Sequence, residues 1–170
     1  MRMPDDEIDT FELYLHMVYY NEIACIAEPT SGKDIGNFEH VCLARLYVLC
    51  EKLQDVKAKN CVVQALMDSI YKKRTDNKWY IPLPPPINII YKGNVKGSPA
   101  RQLLLDVFTY SVKAEWLTEP TLDGYPGEFL QELAVNIVTK RPPEVTVSSH
   151  LASQNGRLEY LEKEDLNDQP

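Results

Sequence analysis

The sequence is poor in glycine and histidine and has no long apolar run. It contains 7 glycines and 3 histidines in 170 residues. Its most apolar helical segment, VCLARLYVLC, is interrupted by Arg45 and is too short to cross a bilayer. The first residues, MRMPDDEID, carry acidic side chains where a signal peptide has its apolar segment. We therefore expect a soluble protein of the cytoplasm or the nucleus that has no membrane partner.

An excess of positive charge is also absent. The chain has 18 Lys and Arg residues against 25 Asp and Glu residues, which gives a formal net charge of -7 at pH 7. Binding to duplex nucleic acid needs clustered Lys and Arg, so this balance argues against a nucleic-acid partner. The length suits one domain, or one small domain with appended segments.

The sequence also lacks the motifs of catalysis and metal binding. It has no H-E-x-x-H, no G-x-S-x-G and no P-loop pattern. The three histidines are His16, His40 and His150. The four cysteines form no C-x-x-C pair, and we expect buried free thiols at Cys25, Cys42, Cys50 and Cys61. The sequence therefore predicts a protein that is not an enzyme and that has no cofactor and no metal site.

What is present is helical periodicity. Apolar side chains recur at helical spacing and predict helices over residues 9–20, 40–54, 55–73, from 98 onward, and 128–140. Asp9, Asp55 and Ser98 are placed to act as N-caps of three of these helices. Pro99 follows Ser98 at a first-turn position that suits proline.

Prolines cluster between the third and fourth of these helices, at Pro82, Pro84, Pro85 and Pro86. Proline fixes φ and lacks a backbone N–H, so the cluster predicts that residues 75–97 contain no regular helix. Residues 87–91, with the sequence INIIY, could form one short strand. We expect the segment to be a stiff connector, and recognition by a proline-binding domain is the alternative.

Three segments carry a resemblance to a known family. Residues 9–21 are similar to the D-x-x-x-F-x-x-[FY]-L-x-x-[LIV]-Y-[TS]-G segment of BTB/POZ domains. Residues 43–60 and 89–108 resemble the helix pair and the following region of filamentous-fungal BTB/POZ proteins, L-x-x-[LV]-Y-x-L-A-[DE]-K-L-Q-D-x-x-x-K-N and I-Y-x-x-[TS]-x-x-G-S-x-x-R-x-[LF]-[LIV]-[LIV]-D. Among the matching positions are Phe11, Tyr14, Leu15, Val18, Tyr19, Leu46, Tyr47, Glu51, Gln54, Asp55, Lys59, Tyr91, Gly97, Ser98 and Arg101.

The resemblance implies a mainly α fold: a helical bundle that corresponds to the C-terminal helices of a BTB/POZ domain, followed by further helices. It divides the chain into that part (1–74), the proline-rich connector (75–97), a helical extension (98–140) and a polar, disordered tail (141–170). The N-terminal half of the BTB/POZ domain, a small sheet and two helices, has no counterpart here. The family's dimer surface and cullin-reading motif lie largely in that half, so neither is carried over.

The family implies a function in protein binding. Members dimerise, dock on a cullin-3 scaffold as ubiquitin-ligase substrate adaptors, or act as transcription-linked scaffolds. The partner is therefore expected to be a protein, either a second copy or a cullin-3-type scaffold. The candidate contact residues are Phe11, Leu15, Tyr19, Leu46, Tyr47 and Leu66. The candidate core consists of these residues with Leu43, Leu53, Leu104, Phe108, Leu130 and Leu133.

Two other functions remain open at this point. One is a small helical enzyme or ligand carrier with a pocket near Tyr91, Arg101 and Trp116. Such a pocket would need convergent polar groups with perturbed pKa values. The other is a nucleic-acid-binding regulator, against which the net charge argues.

Overall fold

A computed structural model describes residues 8–25, 35–74, 77–111 and 124–140 of the chain. These residues form six helices and no strand, and 76% of them are helical. The helices are α1 (Ile8–Tyr20), α2 (Ile35–Lys52), α3 (Val56–Tyr71), α4 (Pro84–Gly93), α5 (Pro99–Ser111) and α6 (Gly127–Lys140). The mainly α prediction is confirmed. The predicted tail lies outside the described residues.

The turn between α2 and α3 is formed by polar residues of the second segment that resembles BTB/POZ proteins, residues 43–60. Gln54 has a φ of 56°, in the left-handed region, and so reverses the chain after α2. A side-chain oxygen of Asp55 accepts a hydrogen bond from the Ala58 N–H at 3.0 Å, which confirms the predicted N-cap. Lys59 forms an ion pair with Glu51 across the turn. These matching positions of the second BTB-like segment therefore hold a helical hairpin together.

Helix α4 contradicts the expectation of a helix-free connector and of a short strand at residues 87–91. Pro84, Pro85 and Pro86 occupy the first three positions of the helix. Backbone N–H groups there have no partner within a helix, so prolines cost no hydrogen bond. Ile87 and Ile90 are then buried, and α4 packs against α2. Part of the predicted connector is thus a core helix.

Helix α2 lies at the centre of the fold. It packs against α1, α3 and α4, while α5 packs against α3 and α4. At the C-terminal side, the ring of Phe129 lies 5.5 Å from Tyr91, 5.0 Å from Phe108 and 5.5 Å from Tyr125, centroid to centroid. The described residues up to Asn136 form one compact unit.

Most of the predicted core is confirmed, but α1 is oriented differently from the prediction. Buried residues are Leu43, Leu46, Tyr47, Leu66, Leu104, Phe108 and Leu133. Leu53 and Leu130 are half-buried. Phe11, Leu15 and Tyr19 are exposed, because α1 turns Thr10 and Met17 inward instead.

Two predicted caps also differ. Asp9 lies in the first turn of α1, which begins at Ile8, so it is not the N-cap. Helix α5 begins at Pro99 as predicted, but within the described residues the Ser98 hydroxyl makes no hydrogen bond. Ser98 is nevertheless buried, and its carbonyl accepts from the Gln102 N–H.

Candidate functional site

The outward face of α1 carries a row of exposed apolar side chains. The row consists of Ile8, Phe11, Leu15 and Val18, which are 77%, 38%, 37% and 52% exposed. We call these four residues the α1 stripe. Their spacing of three, four and three residues places them on one side of the helix. Tyr19, 78% exposed, lies beside the stripe.

The opposite face of α1 is anchored in the protein. Thr10 and Met17 are buried, and Leu13 and Tyr14 pack on the core. The Tyr14 hydroxyl donates to Oδ2 of Asp55 at 3.0 Å, and so links α1 to the α3 cap. Burial and this hydrogen bond raise the pKa of Tyr14. The Ala58 N–H, followed by Tyr14, lowers the pKa of Asp55. This anchoring directs the α1 stripe outward.

The C-terminal end of the stripe leads into a groove beside α3. Two adjoining cavities there, of about 550 Å³ and about 100 Å³, share Met17, Asn21, Lys57 and Cys61 in their walls. Val18 lines the smaller cavity, so the stripe and the groove are continuous. We call this feature the α1–α3 groove. Asn21, with a φ of 55°, turns the chain at the end of α1 and forms part of its wall.

Apart from the stripe and the groove, the structure contains a cluster of polar groups around Arg101, which is 3% exposed. Its Nη2 donates to the carbonyl oxygens of Tyr91 at 2.7 Å and Asn94 at 2.5 Å. Its Nη1 lies 2.8 Å from Oε1 of Glu128, and the guanidinium lies 4.2 Å from the centroid of the Tyr91 ring. A cation at these carbonyls stabilises the C-terminal end of α4.

Tyr91 completes this cluster. Its hydroxyl donates to Oε2 of Glu132 at 2.8 Å. Burial and the hydrogen bond to Glu132 raise the pKa of Tyr91. The pocket residues named from the sequence, Tyr91 and Arg101, are thus brought together, but neither lines the two cavities beside α1. Trp116 lies outside the described residues. The polar groups of this cluster hold α4, α5 and α6 to one another.

The six candidate contact residues separate into two groups. Phe11, Leu15 and Tyr19 lie on the outer side of α1. Leu46, Tyr47 and Leu66 are at most 2% exposed, so another protein cannot reach them in the folded chain. Sequence reasoning missed Ile8 as a surface candidate, and the three-four-three spacing that includes Ile8 was the signal that could have found it.

Within the described ranges, the thiols and acidic groups have no arrangement typical of a reaction centre. All four cysteines are free. Burial raises the pKa of Cys50 to about 12, and a hydrogen bond with Cys42 together with burial raises the pKa of Cys25. Raised pKa values disfavour the nucleophilic thiolate. Across the described ranges, no three His, Cys, Asp or Glu side chains are grouped as metal ligands, and no helix meets the length and apolarity needed to span a membrane.

The three segments that resemble BTB/POZ domains contain the exposed Phe11, Leu15 and Val18 of the α1 stripe, the turn between α2 and α3, and Arg101. Comparison of the chain with protein-family models, curated proteins and solved structures found no match.

Proposed function

We propose that this protein is a non-enzymatic protein–protein interaction module of the BTB/POZ type, which works in the cytoplasm or the nucleus. Its role would be that of a cullin-3 substrate adaptor or a transcription-linked scaffold. The observation that carries the proposal is the α1 stripe, a row of four apolar side chains facing away from the core. Rows at this spacing pack against another helix.

The size of the stripe supports a role in binding. Its four side chains expose roughly 400 Å², which is within the range of the largest apolar patches on monomeric proteins. Burying that area would contribute roughly 10 kcal/mol before the costs of association are subtracted. Ile8, at the helix start, exposes the most within the row. A patch of this kind favours a protein partner over a small molecule.

The alternative of an enzyme or ligand carrier has less support. Its predicted site contains Tyr91 and Arg101, and both have structural partners: Glu132 for the hydroxyl and two main-chain carbonyls for the guanidinium. Arg101 is almost completely buried, so a ligand would have to displace these partners to reach it. The contacts of this cluster therefore favour a structural role.

The adaptor role is tested with purified components. An adaptor that binds through residues other than the family's cullin-reading motif would give a saturable binding heat in isothermal titration calorimetry of the full chain with purified cullin-3, and none with a different cullin. An absence of heat with cullin-3 would contradict the adaptor role. It would leave the wider interaction module standing, because that part rests on the α1 stripe and not on the cullin.

A further inference from the structure

We propose that Cys25 and Cys42 are a redox-sensitive pair of thiols, which a peroxide oxidises to an intramolecular disulfide. The bond would join the segment that follows α1 to helix α2 and close residues 25–42 into a ring. The pair is a site of modification and not of catalysis, so it does not depend on the proposed interaction function. Three observations carry it: the contact between the two thiols, the fixed position of Cys25, and the partial exposure of both side chains.

The two thiols are partners in the folded chain. Cys25 follows α1 and Cys42 lies in α2, so residues 26–41 separate them in the sequence. Their side chains are nevertheless hydrogen-bonded to each other. A disulfide requires two cysteine side chains that point toward each other. Thiols in hydrogen-bond contact meet this requirement.

The residues before Cys25 hold its side chain at this contact. The carbonyl oxygen of Glu22 accepts a hydrogen bond from Nδ1 of His16 at 3.0 Å, which ties the segment back to α1. Ile23 and Cys25 both pack against the core. Cys42 lies within α2, the helix at the centre of the fold. Both sulfurs are therefore positioned by packed backbone, which favours one specific disulfide.

The hydrogen bond gives the two sulfurs different roles. It raises the pKa of Cys25, and burial and the negative charge of Glu39 raise that pKa further. Glu39 itself forms an ion pair with Arg74 at this side of α2. Cys25 therefore keeps its proton, and Cys42 is the thiol of the pair that ionises first. Since the thiolate is the nucleophile toward a peroxide, Cys42 reacts first and Cys25 completes the disulfide.

The reaction balances with hydrogen peroxide as the oxidant. The Cys42 thiolate attacks one peroxide oxygen: an S–O bond forms, the O–O bond breaks, and the departing hydroxide takes up a proton to become water. The Cys25 sulfur then attacks the sulfur of the Cys42 sulfenic acid: the S–S bond forms, the S–O bond breaks, and hydroxide leaves with the Cys25 proton as water. The two thiols are together oxidised by two electrons, and one peroxide is reduced to two waters.

Exposure of the thiols favours this pair and this oxidant. Cys25 and Cys42 are half-buried, whereas Cys50 is completely buried in the core. Cys61 is half-buried too, but the thiol whose charge acts on it is the inaccessible Cys50. A small, uncharged peroxide reaches a half-buried thiol beside Glu39 more easily than oxidised glutathione, which is bulky and negatively charged.

The first experiment identifies the bond by mass spectrometry. Trypsin cuts between each successive pair of cysteines, after Lys33, Arg45 and Lys59. The folded full chain is treated with hydrogen peroxide, alkylated and digested. We expect one cross-linked pair of peptides, which contains Cys25 and Cys42 and is lighter than the two reduced peptides by two hydrogen atoms. Cys50 and Cys61 should be recovered as alkylated thiols.

Serine variants separate the roles of the cysteines. Cys25→Ser should stop the oxidation at the sulfenic acid of Cys42, which dimedone traps, because the second thiol is absent. Wild type should carry little dimedone, since the disulfide forms instead. Cys61→Ser is the matched control: it also removes a half-buried thiol, and its cross-link should form as fast as in wild type. Circular dichroism of each variant checks that the helices remain.

The second experiment measures the effect of the bond on folding. Closing a ring of this length restricts the unfolded chain, so oxidation of wild type should raise the equilibrium constant for folding roughly a hundredfold. Urea denaturation of the oxidised and the reduced protein measures this change, and dithiothreitol should reverse it. Cys25→Ser should show no such gain after the same treatment.

Several outcomes would overturn the proposal. They are a folded chain that forms no cross-link, a cross-link that involves Cys50 or Cys61, a bond between two copies, and a Cys25–Cys42 bond that forms only in urea. An oxidised chain that is less stable than the reduced chain would also overturn it, because the bond would then strain the folded state.

Discussion

At the scale of single residues, His40 is the least expected side chain. It is completely buried near the start of α2, and within the described part of the chain neither ring nitrogen has a hydrogen-bond partner. Burial lowers its pKa to about 4 from the ordinary 6.5, with Glu39 opposing the effect and Arg74 adding to it. The imidazole is therefore neutral in the folded protein at pH 7.

This burial predicts a pH-dependent stability. Between pH 6.5 and 4 the unfolded chain binds a proton at His40 that the folded chain does not bind. The free energy of unfolding should therefore fall as the pH falls through that window, by roughly 3 kcal/mol from this residue alone. Urea denaturation followed by circular dichroism at pH 7, 6, 5 and 4 measures it.

One variant isolates the contribution of His40. His40→Leu should flatten the pH dependence, since it removes the titrating group. If the profile of His40→Leu follows that of wild type across the window, the loss of stability comes from other groups. Leucine at position 40 also removes two buried nitrogens that have no hydrogen-bond partner within the described residues. The free energy of unfolding of His40→Leu at pH 7 should therefore be no lower than that of wild type.

At the scale of the helices, α4 shows how local signals can mislead. Four prolines within five residues indicate extended chain in isolation. In the fold, three of them form the first turn of α4, and burial of Ile87 and Ile90 stabilises the helix that follows. Proline is harmful inside a helix and harmless at its start, and only the tertiary contacts determined which position these prolines occupy.

The close contact between α4 and α2 gives a second prediction. A Cβ placed on Gly93 would lie 2.5 Å from both γ carbons of Val48. We expect Gly93→Ala to lower the free energy of unfolding by about 1–3 kcal/mol through overpacking. Gly127→Ala at the start of α6 is the control, because a Cβ there meets nothing within 4 Å and should change stability little.

A double-mutant cycle assigns the effect to this contact. In a Val48→Ala background, Gly93→Ala should cost less than in wild type, because the two γ carbons are gone. Equal costs in both backgrounds, measured by urea denaturation, would show that the strain arises elsewhere.

At the scale of the whole molecule, the Arg101 cluster joins segments that are distant in the sequence. Arg101 of α5 holds the carbonyl end of α4 and pairs with Glu128 of α6. We expect Arg101→Met to lower the free energy of unfolding by about 3–5 kcal/mol, because it leaves buried acceptors without a donor. Glu128→Gln should cost less than about 1 kcal/mol, since Glu128 is 49% exposed.

Urea denaturation of both variants at pH 7 tests this account. If Arg101→Met were as stable as wild type, Arg101 would not be a structural residue and the pocket proposed there from sequence would regain support. The free energy of unfolding of Arg101→Lys should lie between those of wild type and Arg101→Met, because an ammonium keeps the charge but cannot reproduce the planar guanidinium's set of donors.

The sequence by itself determined the helical class, the α2–α3 hairpin with its Asp55 cap, and most of the core on α2, α3, α5 and α6. Those features depend on local propensity and on a periodicity that has one apolar face. Helix α1 has two apolar faces, and there the pattern indicated the wrong one. Phe11 and Leu15 look like core residues, yet Met17 and Thr10 are buried.

Only the tertiary structure decided which face of α1 is buried, that the prolines start a helix, and that the guanidinium of Arg101 contacts the ring of Tyr91. Each outcome depends on partners far away in the chain: Asp55 for Tyr14, α2 for α4, and Glu128 for Arg101. Apolar periodicity indicates which face of a helix is stabilised by burial. It does not say whether the surface that covers it belongs to the same chain or to another, because both remove the same area from solvent.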